Sequence, residues 1–315
     1  MTIPLVIERA VVEINGGCNY KCQMCPQSIG REKQFLKTIP LTEFERVVAE
    51  LSQYGLKLVN LEGSGEPTLQ NNLDEYIKVV TKYGAKPFIY TNGFRMKGDL
   101  MKRCVDAGLA FCRFSVIGYS REKYREWMKA DNFEIIVENA GAMNEYAQGS
   151  TTVASYHLIL GSDTDYEIDQ YVTNFITPAR TQAEIWKMHN WSGVYDNPTK
   201  RMGNRKTCGR PFAPEITIRA GGPNKLSVAP CCQTLGQDTI AVLGNLTTQT
   251  VEQIWNGQPY EQLRQAHSEK MFDSIPYCSK CDFLYDDQSV LVYSNTNTKL
   301  FTMNGTTFSL DDFRN

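Results

Sequence analysis

Three cysteines sit close together near the start of the chain, in the run CNYKCQMC, at positions 18, 22 and 25. Three thiolates on one short loop suit a cubane iron–sulfur cluster, because thiolates bind cluster irons directly. Three ligands leave the fourth iron open, and an open coordination position marks a catalytic metal site. Structural zinc takes four ligands, commonly as two Cys-x2-Cys knuckles, so a lone triplet spaced x3 then x2 fits it poorly.

Five more cysteines lie in the last third, at 208, 231, 232, 278 and 281, while Cys104 and Cys112 stand apart from both groups. Cys208, one of the adjacent pair Cys231 and Cys232, and the Cys278-x2-Cys281 knuckle would complete a four-sulfur site. On ligand count alone, a closed zinc site and a second iron–sulfur cluster are equally open. Ten cysteines, eight of them in two groups, point to metal or redox chemistry in a reducing compartment rather than to disulfides.

The elements that must position these groups are readable from periodicity. Strands are predicted at AVVEIN (10–15), KLVNLE (57–62), KPFIYT (86–91), AFCRFSVI (110–117), VASYHLIL (153–160) and AEIWKMH (183–189). Helical patterns fall between them. Phe44, Val47, Val48 and Leu51 make one apolar face, with Thr42 and Glu45 as a capping box, and Leu73, Tyr76, Ile77 and Val80 repeat the spacing. Further helices are expected over about 97–107, 120–129, 133–146 and 165–177. Strands alternating with helices indicate a parallel sheet with right-handed crossovers, an α/β fold. Near residue 193 the pattern changes to a Gly-, Asn- and Pro-rich linker. A hairpin of EITIRA (215–220) and KLSVAP (225–230) about GGPN follows, then helices at VEQIWNG and YEQLRQAHSEK. The expected organisation is a first domain over 1–195, a second over 196–285 and a tail over 286–315.

Taken together, the motifs resemble the radical S-adenosylmethionine (SAM) superfamily, whose three-cysteine loop follows the first strand of a partial (β/α)6 barrel. Gly63–Ser64–Gly65–Glu66–Pro67 follows the second strand and is similar to the family's Gly-Gly-Glu-Pro segment, with Ser64 in place of the first paired glycine. Thr91–Asn92–Gly93 ends the third strand and is similar to the family's Thr-Asn-Gly. The resemblance implies that Cys18, Cys22 and Cys25 hold a 4Fe–4S cluster and that Met24, Gly65, Glu66, Asn92 and Ser115 contact SAM. Each segment falls at the carboxyl end of a predicted parallel strand, where barrel active sites assemble. The run from Cys208 to Cys281 resembles the twitch or SPASM extension of such enzymes. It implies a small α+β domain with one auxiliary 4Fe–4S cluster on Cys208, Cys231, Cys278 and Cys281, leaving Cys232 free.

The implied activity is that of an oxidoreductase. A 5′-deoxyadenosyl radical abstracts hydrogen from a small polar, sugar-like or aminocyclitol-like substrate, and the auxiliary cluster takes the electron. Two alternatives stand within the family. One is an epimerase with Cys232 as hydrogen donor. The other is a peptide maturase, for which no N-terminal recognition domain fits ahead of the first strand. A zinc-stabilised binding protein is the non-enzymatic alternative. Cys104 and Cys112 fit apolar faces and are expected to be core. Glu13, Asn15, Arg113, His157, Lys187 and His189 are weaker candidates for substrate contact. The family implies a flavodoxin- or ferredoxin-type electron donor.

Composition limits the rest. A formal net charge of −2 gives no basic surplus for nucleic acid. No stretch approaches the roughly 20 apolar residues of a bilayer span, and no secretory signal is evident, so a cytoplasmic protein without a membrane partner is expected.

Overall fold

Residues 4–30, 36–197, 201, 203–221, 225–285 and 290–293 are described by the computed structural model. All six predicted strands form: β1 (Arg9–Val12), β2 (Leu58–Asn60), β3 (Lys86–Thr91), β4 (Phe111–Ser115), β5 (Thr152–Ile159) and β6 (Gln182–Lys187). They lie parallel in sequence order. The intervening helices are α1 (Pro26–Ile29), α2 (Leu41–Ser52), α3 (Leu73–Lys82), α4 (Gly98–Asp106), α5 (Arg121–Met128), α6 (Phe133–Ala147), α7 (Thr164–Tyr171) and α8 (Thr177–Ala179). A π-helical turn, Val172–Ile176, joins the last two.

Alternation along each strand separates two faces. Ala10, Val12, Val59, Ile89, Phe114 and Ile185 point into the apolar core beneath the helices. The faces of α2 and α3 that the periodicity marks are buried there. Cys104 and Cys112 are buried in this core as well. The capping box expected at α2 does not form: Pro40 is the N-cap, without a side-chain cap bond. Thr42 is therefore the second residue of the helix, past the position from which a hydroxyl caps the first free N–H groups, and Glu45 instead accepts from Lys82 Nζ at 2.6 Å.

The sheet does not stop at the expected linker. β7 (Glu215–Arg219) lies parallel beside β1, with Arg9 opposite Glu215 and Val11 opposite Thr217. β8 (Ser227–Ala229) and β9 (Gly244–Asn245) continue antiparallel from it, so the predicted hairpin strands do pair. Residues 222–224 of its turn lie outside the described residues. On the far edge, β10 (Val290–Tyr293) adds antiparallel to β6. Among the described residues ten strands thus run in the order β10-β6-β5-β4-β3-β2-β1-β7-β8-β9. α9 (Val251–Trp255), which carries a Thr250–Gln253 capping box, and α10 (Gln258–Ser268) complete the C-terminal segment. The architecture is a mixed α/β partial barrel extended by a C-terminal region. Apart from 290–293, the predicted tail lies outside the described residues. Among the described residues no helix is long and apolar enough to cross a membrane.

Candidate active site

Beyond β1 the chain leaves the sheet as the cysteine loop. The Cys25 N–H donates to the Cys22 carbonyl at 3.1 Å, and Cys25 then caps α1, whose first residue is Pro26. Gln23 N–H donates to the Trp127 carbonyl at 2.8 Å, pinning the loop to the end of α5. Tyr20 adds bonds to Tyr124 at 3.2 Å and Asn132 at 3.0 Å. Burial pushes the Cys18 thiol up to about 12, with Glu66 and Cys25 adding to it. Burial, then Cys25 and Cys18, push Cys22 well above the usual thiol range. Cys18 and Cys22 are therefore weakly solvated and close enough to Cys25 to feel its charge, so their thiolates form readily only where cations replace the protons. That donor set fits a cluster.

The Gly-Ser-Gly-Glu-Pro and Thr-Asn-Gly segments are joined through one side chain. Glu66 Oε1 accepts from Thr68 N–H at 3.1 Å, Thr68 Oγ1 at 2.6 Å and Thr91 Oγ1 at 2.5 Å, and Oε2 accepts from Asn92 N–H at 2.7 Å. Its backbone N–H donates to the Gly17 carbonyl at 2.8 Å, and its carbonyl accepts from Asn15 Nδ2 at 2.9 Å. The residue read as a SAM contact is thus first a staple: its carboxylate joins its own loop to that after β3, its backbone holds the cysteine loop, and one acceptor position is left on Oε2. Gly65 is fixed by packing: a Cβ there would lie 2.1 Å from the Asn15 carbonyl oxygen and 2.4 Å from that of Gly17. Asn92 spends its side chain on Asn19 at 2.8 Å and on the Phe94 N–H at 3.1 Å. Met24 is buried in the hydrophobic core. Ser115 lies half-buried on the inner face at the end of β4.

Below these loops the inner face is layered. Phe88, Phe111 and Ala154 form an apolar floor, the two rings stacked at 4.9 Å. Above it runs a belt of charge. Arg113 pairs with Glu184 and is sandwiched between the rings of Tyr90 and Tyr156, at 3.6 and 4.4 Å. Glu62 accepts from Asn60 Nδ2 at 3.2 Å, and burial pushes its carboxyl above the usual range although Arg113 and Arg9 pull the other way. Arg9 lies 3.4 Å from Glu215, and Arg219 lies 3.5 Å from Glu13. The Nε atoms of Arg9 and Arg113, Asn60 Oδ1 and Trp186 Nε1 are buried without a hydrogen-bond partner.

Arg113 and Glu13 therefore face the chamber as their alternation predicts, and Asn15 braces the rim. His157 does not. Its ring stacks on Tyr171 at 4.6 Å on the helix side of β5, and its Nδ1 accepts from the Gly118 N–H at 3.2 Å. Lys187 shares that side by register, and His189 packs on Trp191 and Phe283 at 4.3 and 5.4 Å. Glu62, Tyr90, Tyr156, Glu184 and Arg9 were missed. Alternation of polar with apolar residues along β1 to β6 and their ends was the signal that could have found them.

Cys208, Cys231, Cys278 and Cys281 line one cavity, together with Arg210, Gln233, His267 and Phe283. Cys232 is not among its lining residues; its Sγ accepts from Arg210 Nη1 at 3.3 Å. Of the two adjacent cysteines, Cys231 lines the cavity and Cys232 faces Arg210. Burial pushes the Cys281 thiol up to about 11 and raises Cys208, Cys231 and Cys278 too. Among the described residues no three His, Cys, Asp or Glu side chains close to a single-ion site. A single zinc needs its sulfurs at ~2.3 Å from one point, whereas a cluster brings its own iron and sulfide between the cysteines. Four cysteines around one cavity supply the donor set such a cluster uses. Trp186, on the inner face of β6, packs against this region together with Cys208 and Cys278.

Comparisons with known proteins agree with this arrangement. Residues 12–172 match the radical SAM superfamily, and residues 216–282 match SPASM, an iron–sulfur cluster-binding domain. The S-adenosyl-L-methionine-dependent 2-deoxy-scyllo-inosamine dehydrogenase of Niallia circulans is 22% identical over 274 residues, covering 86% of this chain and 91% of its own. The crystal structure of BtrN in complex with AdoMet and 2-DOIA superposes with a TM-score of 0.61 at 20% identity, over 88% of this chain and 93% of that one. Streptococcus suis SuiB bound to its precursor peptide SuiA gives a TM-score of 0.67 at 15% identity, over 90% and 71%. At these identities the structures speak for the fold.

Proposed function

Since the chain belongs to the radical SAM superfamily and carries a C-terminal SPASM iron–sulfur domain, we propose that this enzyme oxidises a secondary alcohol on a small, neutral or zwitterionic polyhydroxylated molecule. When bound, the first cluster with SAM supplies a 5′-deoxyadenosyl radical that removes a hydrogen atom from a carbon, and the auxiliary cluster supplies an acceptor for the electron the substrate radical gives up. We assign the first to Cys18, Cys22 and Cys25 and the second to Cys208, Cys231, Cys278 and Cys281. A flavodoxin- or ferredoxin-type donor would feed the first.

One observation carries this reading: the four-cysteine cavity adjoins the same inner face that bears the charged belt. Arg113 with Glu184, Arg9 with Glu215 and Arg219 with Glu13 leave little net charge there, which favours hydroxyls and balanced charges over an anion. Unpartnered Arg113 Nε and Asn60 Oδ1 offer a donor and an acceptor to such a ligand. Glu62, with its raised pKa, would take the hydroxyl proton. The balance is complete: the carbinol loses a hydrogen atom, a proton and an electron and becomes a ketone. Similarity to the inosamine dehydrogenase across most of both chains supports a small-molecule substrate.

The position of Cys232 favours a second reading, epimerisation. Its sulfur lies outside the cavity and within electrostatic reach of Arg9 on the inner face. One experiment separates the two. Anaerobically reconstituted, reduced protein is given SAM and 2-deoxy-scyllo-inosamine deuterated at each carbinol carbon, in ordinary water. Oxidation moves deuterium into 5′-deoxyadenosine and yields a ketone. Epimerisation yields an isomer that has exchanged one deuterium for solvent hydrogen, and C232A abolishes that exchange. Release of methionine without label transfer would reject this substrate class.

A further inference from the structure

Arg210 is the one lining residue of the four-cysteine cavity with a permanent charge, among the described residues. Its side chain is only 14% exposed, and its Nε is buried without a hydrogen-bond partner. Nη1 donates to Cys232 Sγ at 3.3 Å and lies 3.7 Å from Glu215 Oε1, and the guanidinium carbon sits 5.4 Å from the centre of the Phe283 ring. Glu215 in turn meets Arg9 on the inner face at 3.4 Å. One buried cation thus touches the cysteine cavity on one side. On the other it begins a chain of charges leading into the chamber.

We propose that Arg210 sets the reduction potential of the auxiliary cluster, holding it high enough to accept the electron released in the chamber. The inference rests on reading the cavity as that cluster's site. A cluster that gains one electron gains one negative charge. A cation fixed against it in a weakly solvated cavity stabilises the reduced form more than the oxidised one, and so raises the potential. The unpartnered Nε N–H adds a donor for a cluster or cysteinyl sulfur, which acts in the same direction. Glu215 partly offsets this charge. Arg210 is a positioning and tuning residue and takes no part in bond making.

The test uses the full chain with Cys18, Cys22 and Cys25 replaced by alanine, so that a single cluster reports. Iron and sulfide are assayed, and the midpoint potential is read by EPR-monitored titration. R210Q is expected to shift the reduction equilibrium at least tenfold toward the oxidised form, ~59 mV more negative for a one-electron couple. R210K should restore most of the difference, and E215Q should move the potential the opposite way. Unchanged potentials in R210Q and E215Q at full cluster content would overturn the proposal. If R210Q cannot hold the cluster, R210K and E215Q decide the matter by the same signs. A parent chain that binds zinc or no iron in this background would overturn the cluster assignment itself, a distinguishable result.

Discussion

Arg219, on β7, holds Glu13 beyond the end of β1: Nη1 lies 3.5 Å from Oε2, and both side chains are buried. The other guanidinium nitrogen reaches the backbone carbonyls of Cys231 and Cys232 at 3.5 and 3.3 Å. Glu13 Oε2 also accepts from the Ser64 N–H at 3.4 Å. One ion pair therefore ties the Gly-Ser-Gly-Glu-Pro segment to the backbone of the second cysteine group. The two sites are thus connected through side-chain contacts as well as through the chain between them.

Removing the cation from that pair is expected to be costly. Breaking a buried ion pair by deleting one partner destabilises by about 3–5 kcal/mol, while replacing both with apolar groups costs far less. R219M should lower the urea midpoint accordingly, and E13L/R219M should recover much of the loss. Additive effects of E13L and R219M in the double-mutant cycle would refute the coupling.

Gly65→Ala is expected to disturb the cysteine loop without touching a cysteine. The added methyl meets backbone carbonyls of Asn15 and Gly17, which cannot swing aside as a side chain does. Overpacking of this kind costs about 3 kcal/mol. Iron content should fall toward one cluster's worth, the second cluster being retained. A G65A protein with the full iron and sulfide content of the parent would contradict this.

Cys231 and Cys232 are adjacent in sequence yet should behave oppositely. C231A is expected to lose one cluster's iron and sulfide, as C278A does. C232A should keep both clusters, because its sulfur faces Arg210 rather than the cavity. The reverse pattern in an iron and sulfide assay would exchange the assignments.

Acid sensitivity should appear through His189. Burial, then Arg201 and Arg210, hold its imidazole at about 3 against an ordinary 6.5. Between those values the unfolded chain binds a proton that the folded chain does not, so stability falls as pH drops below the unfolded value. From pH 7 to pH 5 this one group should cost about 2 kcal/mol. H189N should flatten that part of the urea-midpoint profile. An equally steep profile in H189N would assign the sensitivity to other groups.

The chemistry of the chain was legible from local sequence. CNYKCQMC, the Gly65–Glu66–Pro67 run and Thr91–Asn92–Gly93 each lie within a few residues, and six strands and their helices follow from periods of two and 3.6 that neighbouring residues impose. Buried faces such as Phe44, Val47, Val48 and Leu51 followed for the same reason.

What the tertiary structure alone decided depends on contacts distant in sequence. Nothing local places β7 beside β1 or β10 beside β6, since strand pairing is settled by which edges meet after the sheet has formed. Glu66 reads as a ligand in its motif but becomes a staple only when Thr91 and Asn92 arrive from β3. Cys231 and Cys232 have the same chemistry and nearly the same neighbours in sequence. The turn after β8 points one into the cavity and the other at Arg210, and that direction exists only in three dimensions.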